Sequence, residues 1–232
     1  KLQNLQHLKL VSCRFDDSGC RILSESPHLD ALRKLDLEYE STIGPGGARA
    51  LAIRFPLLEE LNLKGTRIGS QGAMRFAEAD MNRLTLLNLD DAQIGSSGVE
   101  SILSSNSLGS LRRLYLKYCN PDGAFKQIVP AQLQYLGLSG SHLSDTDVSD
   151  ICTSSSLSQL LHLDMAHCAS LTERSAAALA NSPILGQLTR LDFAYPLMML
   201  DDIVQLAESP HLKNRKSIHL ASNYILPEHR VE

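Results

Sequence analysis

The sequence predicts an α/β fold: a right-handed solenoid of about nine stacked strand–helix units, a horseshoe arc with a concave parallel β-sheet and convex helices. Three observations predict it. The pattern L-x-x-L-x-L begins at Leu5, Leu32, Leu58, Leu84, Leu111, Leu133, Leu160 and Leu188, and a degenerate ninth copy runs from Arg215 through Ile218 and Leu220. The intervals are 27, 26, 26, 27, 22, 27, 28 and 27 residues, a self-similarity that marks repeat architectures. Within each copy a period of two gives way to a helical period, so one strand and one helix alternate along the chain.

The strand comes first in each unit. Leu35 and Leu37, Leu61 and Leu63, and Leu87 and Leu89 alternate as a strand with one buried face does. About ten residues in, an aliphatic residue meets a turn former, as in Ile43-Gly44, Ile68-Gly69, Ile94-Gly95 and Leu143-Ser144. One apolar column then reads Cys20, Ala48, Ala73, Val99, Val148, Ala176 and Ile203. A second, three residues on, reads Leu23, Leu51, Phe76, Ile102, Ile151, Leu179 and Leu206. Two columns at this spacing form the apolar stripe of a short helix packed on a sheet. Proline at 27, 56, 183 and 210 is placed to end the helix and turn the chain toward the next strand. The fifth unit, 22 residues long and carrying Pro121, Gly123 and Pro130, leaves room only for a short 3₁₀ turn or an irregular segment. Strands about 4.8 Å apart against wider helices place the sheet on the inner curve.

Composition agrees with many small layers. Of 232 residues 43% are hydrophobic but only 5% aromatic, with no tryptophan, so leucine, isoleucine, valine and alanine must fill the core. One continuous interior makes residues 1–232 a single expected domain. The 22 basic and 26 acidic residues are mixed, for a net charge of −4. That balance offers no stripe for phosphate backbones and argues against nucleic acid. No apolar run reaches the roughly 18 residues of a membrane span. Lys1-Leu2-Gln3 opens directly into repeat text, so the chain is expected to be an excerpt of a longer protein, without a signal peptide. The cysteines at 13, 20, 119, 152 and 168 lack the paired spacings of zinc or redox sites, and buried free thiols in a cytoplasmic, reducing setting are expected.

These repeats resemble the leucine-rich repeats of the long, ribonuclease-inhibitor-like class. Ser-Pro-His-Leu at 26–29 and 209–212, and Ile-Gly-Pro-Gly-Gly-Ala-Arg-Ala-Leu-Ala at 43–52, are similar to multi-repeat arrays of bacteria. The ninth position of each unit reads Cys13, Glu40, Thr66, Ala92, Cys119, Ser141, Cys168, Pro196 and Asn223. Its small polar members are similar to the family's internal ladder, which satisfies backbone groups where the chain leaves the strand. The cysteines there also resemble the cysteine-containing repeats of ubiquitin-ligase adaptors. Glu40, Ala92 and Pro196 depart from the pattern, so the ladder is expected to break at them.

Positions three, five, seven and eight of each unit face the inner curve. Five of six tyrosines fall there: Tyr39, Tyr115, Tyr118, Tyr135 and Tyr195. Tyr115, Tyr118 and Tyr135 lie on adjacent strands beside Arg113 and Lys117, with Asn88, Asp90 and Asp91 at an acidic edge. Rigid amphipathic rings beside arginine are the material of interface hot spots; the competing reading is that these tyrosines simply pack on one another in the sheet. His162, Asp164 and His167, near Asp192, form a weak metal candidate, because His167 lies beyond the strand end. Catalytic constellations are missing: no phosphate loop, no nucleophile elbow and no Cys–His pair is present. Gly44-Pro45-Gly46-Gly47 reads as a turn device.

The expected function is a non-enzymatic, cofactor-free interaction module that binds a protein on its concave face. The alternatives are the substrate-recognition arm of a larger enzyme or effector, such as a ubiquitin-ligase adaptor, and a passive spacer. Leu2 and Leu5 start the array without a polar cap, which leaves self-association through the N-terminal end as a further expectation.

Overall fold

The computed structural model describes residues 3–193 and 199–212. Eight strands form one parallel sheet in strict sequence order: β1 (His7–Lys9), β2 (Lys34–Asp36), β3 (Glu60–Asn62), β4 (Leu86–Asn88), β5 (Arg113–Tyr115), β6 (Tyr135–Gly137), β7 (His162–Met165) and β8 (Arg190–Phe193). Among the described residues, eight α-helices run between and after the strands: α1 (Asp17–Glu25), α2 (Pro45–Arg54), α3 (Gly69–Glu78), α4 (Gly95–Leu103), α5 (Asp145–Thr153), α6 (Glu173–Ala180), α7 (Pro183–Gln187) and α8 (Leu200–Ala207). The proposed ninth unit and Tyr195 lie outside the described residues.

Register confirms the repeat. Leu8, Leu35, Leu61, Leu87, Leu114, Leu136, Leu163 and Leu191 pair in one unbroken column across the sheet. Units of 22 to 28 residues keep this register because the length differences fall on the convex side. From the second unit onward the leucines of the motif are buried, and one apolar cluster runs from Cys20 to Leu206. In the first unit Leu5, Leu8 and Leu10 pack on that cluster while remaining partly exposed.

The convex side follows the expected columns: Cys20, Ala48, Ala73, Val99, Val148 and Ala176 are fully buried. No helix separates β5 from β6; a turn closes with Ala124 N–H donating to Pro121 O at 2.8 Å, and Ala124, Phe125 and Ile128 fill the missing helix's place in the core. Pro183 does more than stop α6. It occupies the first turn of α7, where its absent N–H costs nothing.

Two further expectations are corrected. The ladder does not break at Glu40: this residue is buried and its carboxylate accepts the backbone N–H groups of Cys13 and Phe15, the latter at 2.6 Å. A longer acidic side chain thus serves two donors of the preceding unit. Elsewhere the ladder donates, from Cys119 to Leu89 O, from Ser141 to Leu116 O and from Cys168 to Leu138 O. The thiols are not all buried either, for Cys13 is exposed while Cys20, Cys119, Cys152 and Cys168 are buried.

Polar groups also stitch the helix ends. Ser105, Ser182 and Ser209 donate to the carbonyls of Ala77, Cys152 and Ala180 in the preceding unit. Asp17 of α1 accepts the Gly44 N–H at 2.6 Å, so the entrance to α2 is already held by a carboxylate. A Cβ on Gly46 or Gly47 would come within 2.7 Å of that carboxylate. The Gly-Pro-Gly-Gly turn therefore exists to admit Asp17.

Candidate functional site

Side chains at positions three and five leave the sheet on its inner face, while position four enters the core. That alternation puts Tyr115, Tyr135 and His162 on one face of three adjacent strands. Tyr115 and Tyr135 pack with ring centroids 4.4 Å apart and planes tilted by 33°; Tyr135 meets His162 edge to face at 4.7 Å. Such pairs add about 0.5–1.5 kcal/mol beyond burial.

Charges frame this stack. His162 Nε2 lies 2.7 Å from Asp192 Oδ2, and Arg190 Nε reaches the same oxygen at 2.8 Å. Lys117 spans the sixth unit to Asp164, Nζ to Oδ2 at 2.7 Å. Its backbone N–H donates to Asp90 Oδ1 at 2.8 Å. Burial pushes the Asp90 carboxyl above its ordinary value against the pull of Lys117. Burial, helped by the Asp164 charge, likewise raises the Tyr135 phenol. At Asp192, burial acts upward, but hydrogen bonds from Arg190 and His162 prevail and hold the carboxyl low.

Position eight forms a second row, at the end of each strand. Ser12, Tyr39, Gly65, Asp91, Tyr118, Gly140 and His167 all have positive φ, between 53° and 69°. The turn demands the left-handed region whatever residue occupies it, and for a bulky side chain that region is strained. Tyr39 and Tyr118 nonetheless sit there and remain 52% and 60% exposed. Each ring rests on the glycine of the next unit, Tyr39 on Gly65 and Tyr118 on Gly140, where any Cβ would collide with it. Lys64 Nζ lies 4.8 Å from the Tyr39 ring centroid.

The predicted residues are thus only partly brought together. Tyr115 and Tyr135 touch; Tyr118 stands apart at the rim, and Tyr39 lies three strands away. Arg113 turns from the tyrosines and reaches over Leu86 to Glu60 at 3.4 Å. Asn88 accepts the Asp90 N–H at 3.0 Å and so shapes the turn. Asp90, expected at the acidic edge of the patch, is buried. The metal candidate is not assembled: Asp164 is committed to Lys117, His162 to Asp192, and His167 is an exposed rim residue. Among the described residues no group of three His, Cys, Asp or Glu side chains is arranged to hold a metal ion.

Sequence reasoning missed His162 and Asp192 as parts of the aromatic cluster. It also missed Gly137, over which Tyr135 folds its own ring. The available signal was a glycine in a strand interior, which marks a close approach. A hollow of about 490 Å³ extends the inner face from β1 to β5, lined by Lys9, Asp36, Asn62, Asn88 and Tyr115 among others.

One ordered parallel sheet, helices on its outer side and a polar inner face define the class of strand–helix solenoids. Within it, the repeats of this chain are leucine-rich repeats. The leucine-rich-repeat family model matches residues 1–24, 56–77 and 82–103. A solved protein of Bacteroides fragilis aligns over 98% of this chain and 68% of its own, with 18% identity and a TM-score of 0.58. TLR13, solved in complex with ssRNA13, aligns over 97% of this chain with 20% identity and a TM-score of 0.52; the chain spans 30% of that neighbour's length. No curated protein matches the sequence. Among the described residues, no helix is long and apolar enough to cross a membrane.

Proposed function

We propose that the chain is a non-catalytic module that binds a protein partner on its concave face, across units two to seven. The observation that carries this reading is the exposure of Tyr118 and Tyr39 in strained backbone. Each accepts a conformational cost and yet leaves half or more of its surface in solvent, so packing alone does not repay it. Beside Tyr118 the Tyr115–Tyr135–His162 stack supplies a rigid floor. A preformed surface of this kind loses little freedom on binding. The TLR13 neighbour was solved with RNA, but the cations on this inner face are neutralised by carboxylates at 2.7–3.4 Å, which disfavours a phosphate backbone here. A cytoplasmic setting suits four unpaired thiols buried in the core.

The test is photocrosslinking in a native extract from a benzophenone amino acid placed at Tyr118 or, on exposed α2, at Arg49. The reading expects a protein captured from position 118 and not from 49. Tyr115→Ala and Tyr118→Ala should then weaken that partner's binding tenfold or more with unchanged far-ultraviolet dichroism. Capture from both positions alike, or binding indifferent to both substitutions, would sink it.

A further inference from the structure

We infer that the partner presents an arginine side chain to the slot at Asp91, between the ring of Tyr39 and the backbone of Tyr118. This rests on the concave-face reading above and deepens it. Charge complementarity selects that side chain. Across the inner face each lysine or arginine of the described strands and their position-seven neighbours is paired: Lys9 with Asp36, Lys34 and Arg113 with Glu60, Lys64 with Glu38, Lys117 with Asp164, and Arg190 with Asp192. Asp91 is the carboxylate of this face left with no cation among the described residues; Asp90 makes no ion pair but feels the Lys117 and Lys64 charges. The uncompensated charge of the face is therefore concentrated at one place, the turn after β4.

The surroundings of Asp91 select the chemistry. It is exposed, and its left-handed backbone (φ 54°) is anchored by its N–H donating to Lys117 O at 2.8 Å. The Tyr39 ring lies over Gly65, the rim residue one strand before it. Tyr118 occupies the rim one strand after it. Strands about 4.8 Å apart make the interval between units three and five roughly 10 Å, wide enough for a planar cation. The Tyr39 ring already accepts one cation, Lys64, at 4.8 Å. A guanidinium pairs bidentately with a carboxylate and lays its plane on an aromatic face at once; an ammonium, a point charge, offers neither the fork nor the plane. Asp90, the residue before it, is 7% exposed and accepts the Lys117 N–H, so Asp91 is the carboxylate open to the slot.

The test uses four labelled twelve-residue Gly/Ser peptides carrying three arginines, three lysines, three citrullines or three glutamates, titrated into the isotopically labelled protein by NMR. The arginine peptide should shift the amides of Asp91 and Tyr118, and should bind at least fivefold more tightly than the citrulline and lysine peptides. Asp91→Asn, a residue that tolerates the left-handed turn, should weaken it at least fivefold. Equal binding of arginine and citrulline peptides, equal binding of arginine and lysine peptides, or indifference to Asp91→Asn overturns the inference. A crosslinked partner segment at position 118 without arginine overturns it too while leaving the concave-face reading intact; capture from Arg49 alone removes both.

Discussion

Lys117 reaches past the whole sixth unit to Asp164, with Nζ 2.7 Å from Oδ2 and the carboxylate only 8% exposed. The span is possible because position seven of the unit between them is the small, buried Ser139. Lys117→Met should leave a buried carboxylate without its cation and cost about 1–3 kcal/mol in urea unfolding. The double variant Lys117→Met/Asp164→Asn should recover part of that loss. A double variant no more stable than the single one would show that the pair is not coupled.

Glycine seats for the rim tyrosines give a second prediction. Gly140 and Gly69 share a positive φ, 68° and 62°, but only Gly140 has a ring lying against it. Gly69→Ala should cost about 1 kcal/mol, the backbone penalty alone. Gly140→Ala should cost more by thermal unfolding, and Tyr118→Ala in the same chain should remove the excess. Equal losses at the two glycines would refute the seat.

Two carboxylates should respond to pH in opposite senses. At Asp145 burial acts upward, but Ser175 and Thr172 donate to it and hold its folded pKa below the ordinary value. Its stabilisation is therefore complete above the unfolded pKa near 4 and is lost as pH falls through the folded value. Asp145→Asn should flatten the acid side of the stability curve. Asp90 is the reverse: burial raises its pKa, so the charged form opposes folding at neutral pH and the opposition fades as pH falls toward the raised value. Asp90→Asn keeps an acceptor for the Lys117 N–H and should raise the neutral-pH Tm. Parallel shifts of both variants across the pH range would contradict these assignments.

Glu40 predicts a local effect. Its removal strands the N–H groups of Cys13 and Phe15, each orphan costing about 1–3 kcal/mol where water cannot reach. Glu40→Ala should speed hydrogen exchange in β1 and α1 selectively, leaving β4 to β7 protected. Uniform loss of protection would mean that the first unit does not open on its own.

The thiols offer the simplest check. Burial pushes Cys20, Cys119, Cys152 and Cys168 up to about 12, whereas Cys13 is exposed. Iodoacetamide at pH 8 should modify one cysteine in the native protein and all five after denaturation. Rapid modification at two or more native positions would conflict with the core as described.

Much of this molecule is written in local pattern. The leucines at positions one, four and six, the helical columns from Cys20 and Leu23 onward, and the irregular fifth unit were all legible, because a repeat places chemically equivalent residues at one spacing and burial follows the spacing. The face on which Tyr115 and Tyr135 emerge was legible for the same reason. What each side chain touches was not. Glu40 was read as a flaw in the ladder because its type departs from the column, and only its path to Cys13 and Phe15 makes it a member. Asp90 and Asp91 are alike in sequence and share the acidic edge of the patch, yet Asp90 is buried and Asp91 exposed.

By itself, then, the sequence determined the stacked units, their shared register and the inner face that stays polar. These depend on periodicity, a property of single strands and helices. The tertiary structure decided the rest: that Tyr118 lies on Gly140, that Lys117 and His162 find carboxylates in other units, and that Asp91 keeps none. Those outcomes turn on neighbours 22 to 47 residues away, and the stacking distance between units brings such neighbours together where no spacing within one repeat can.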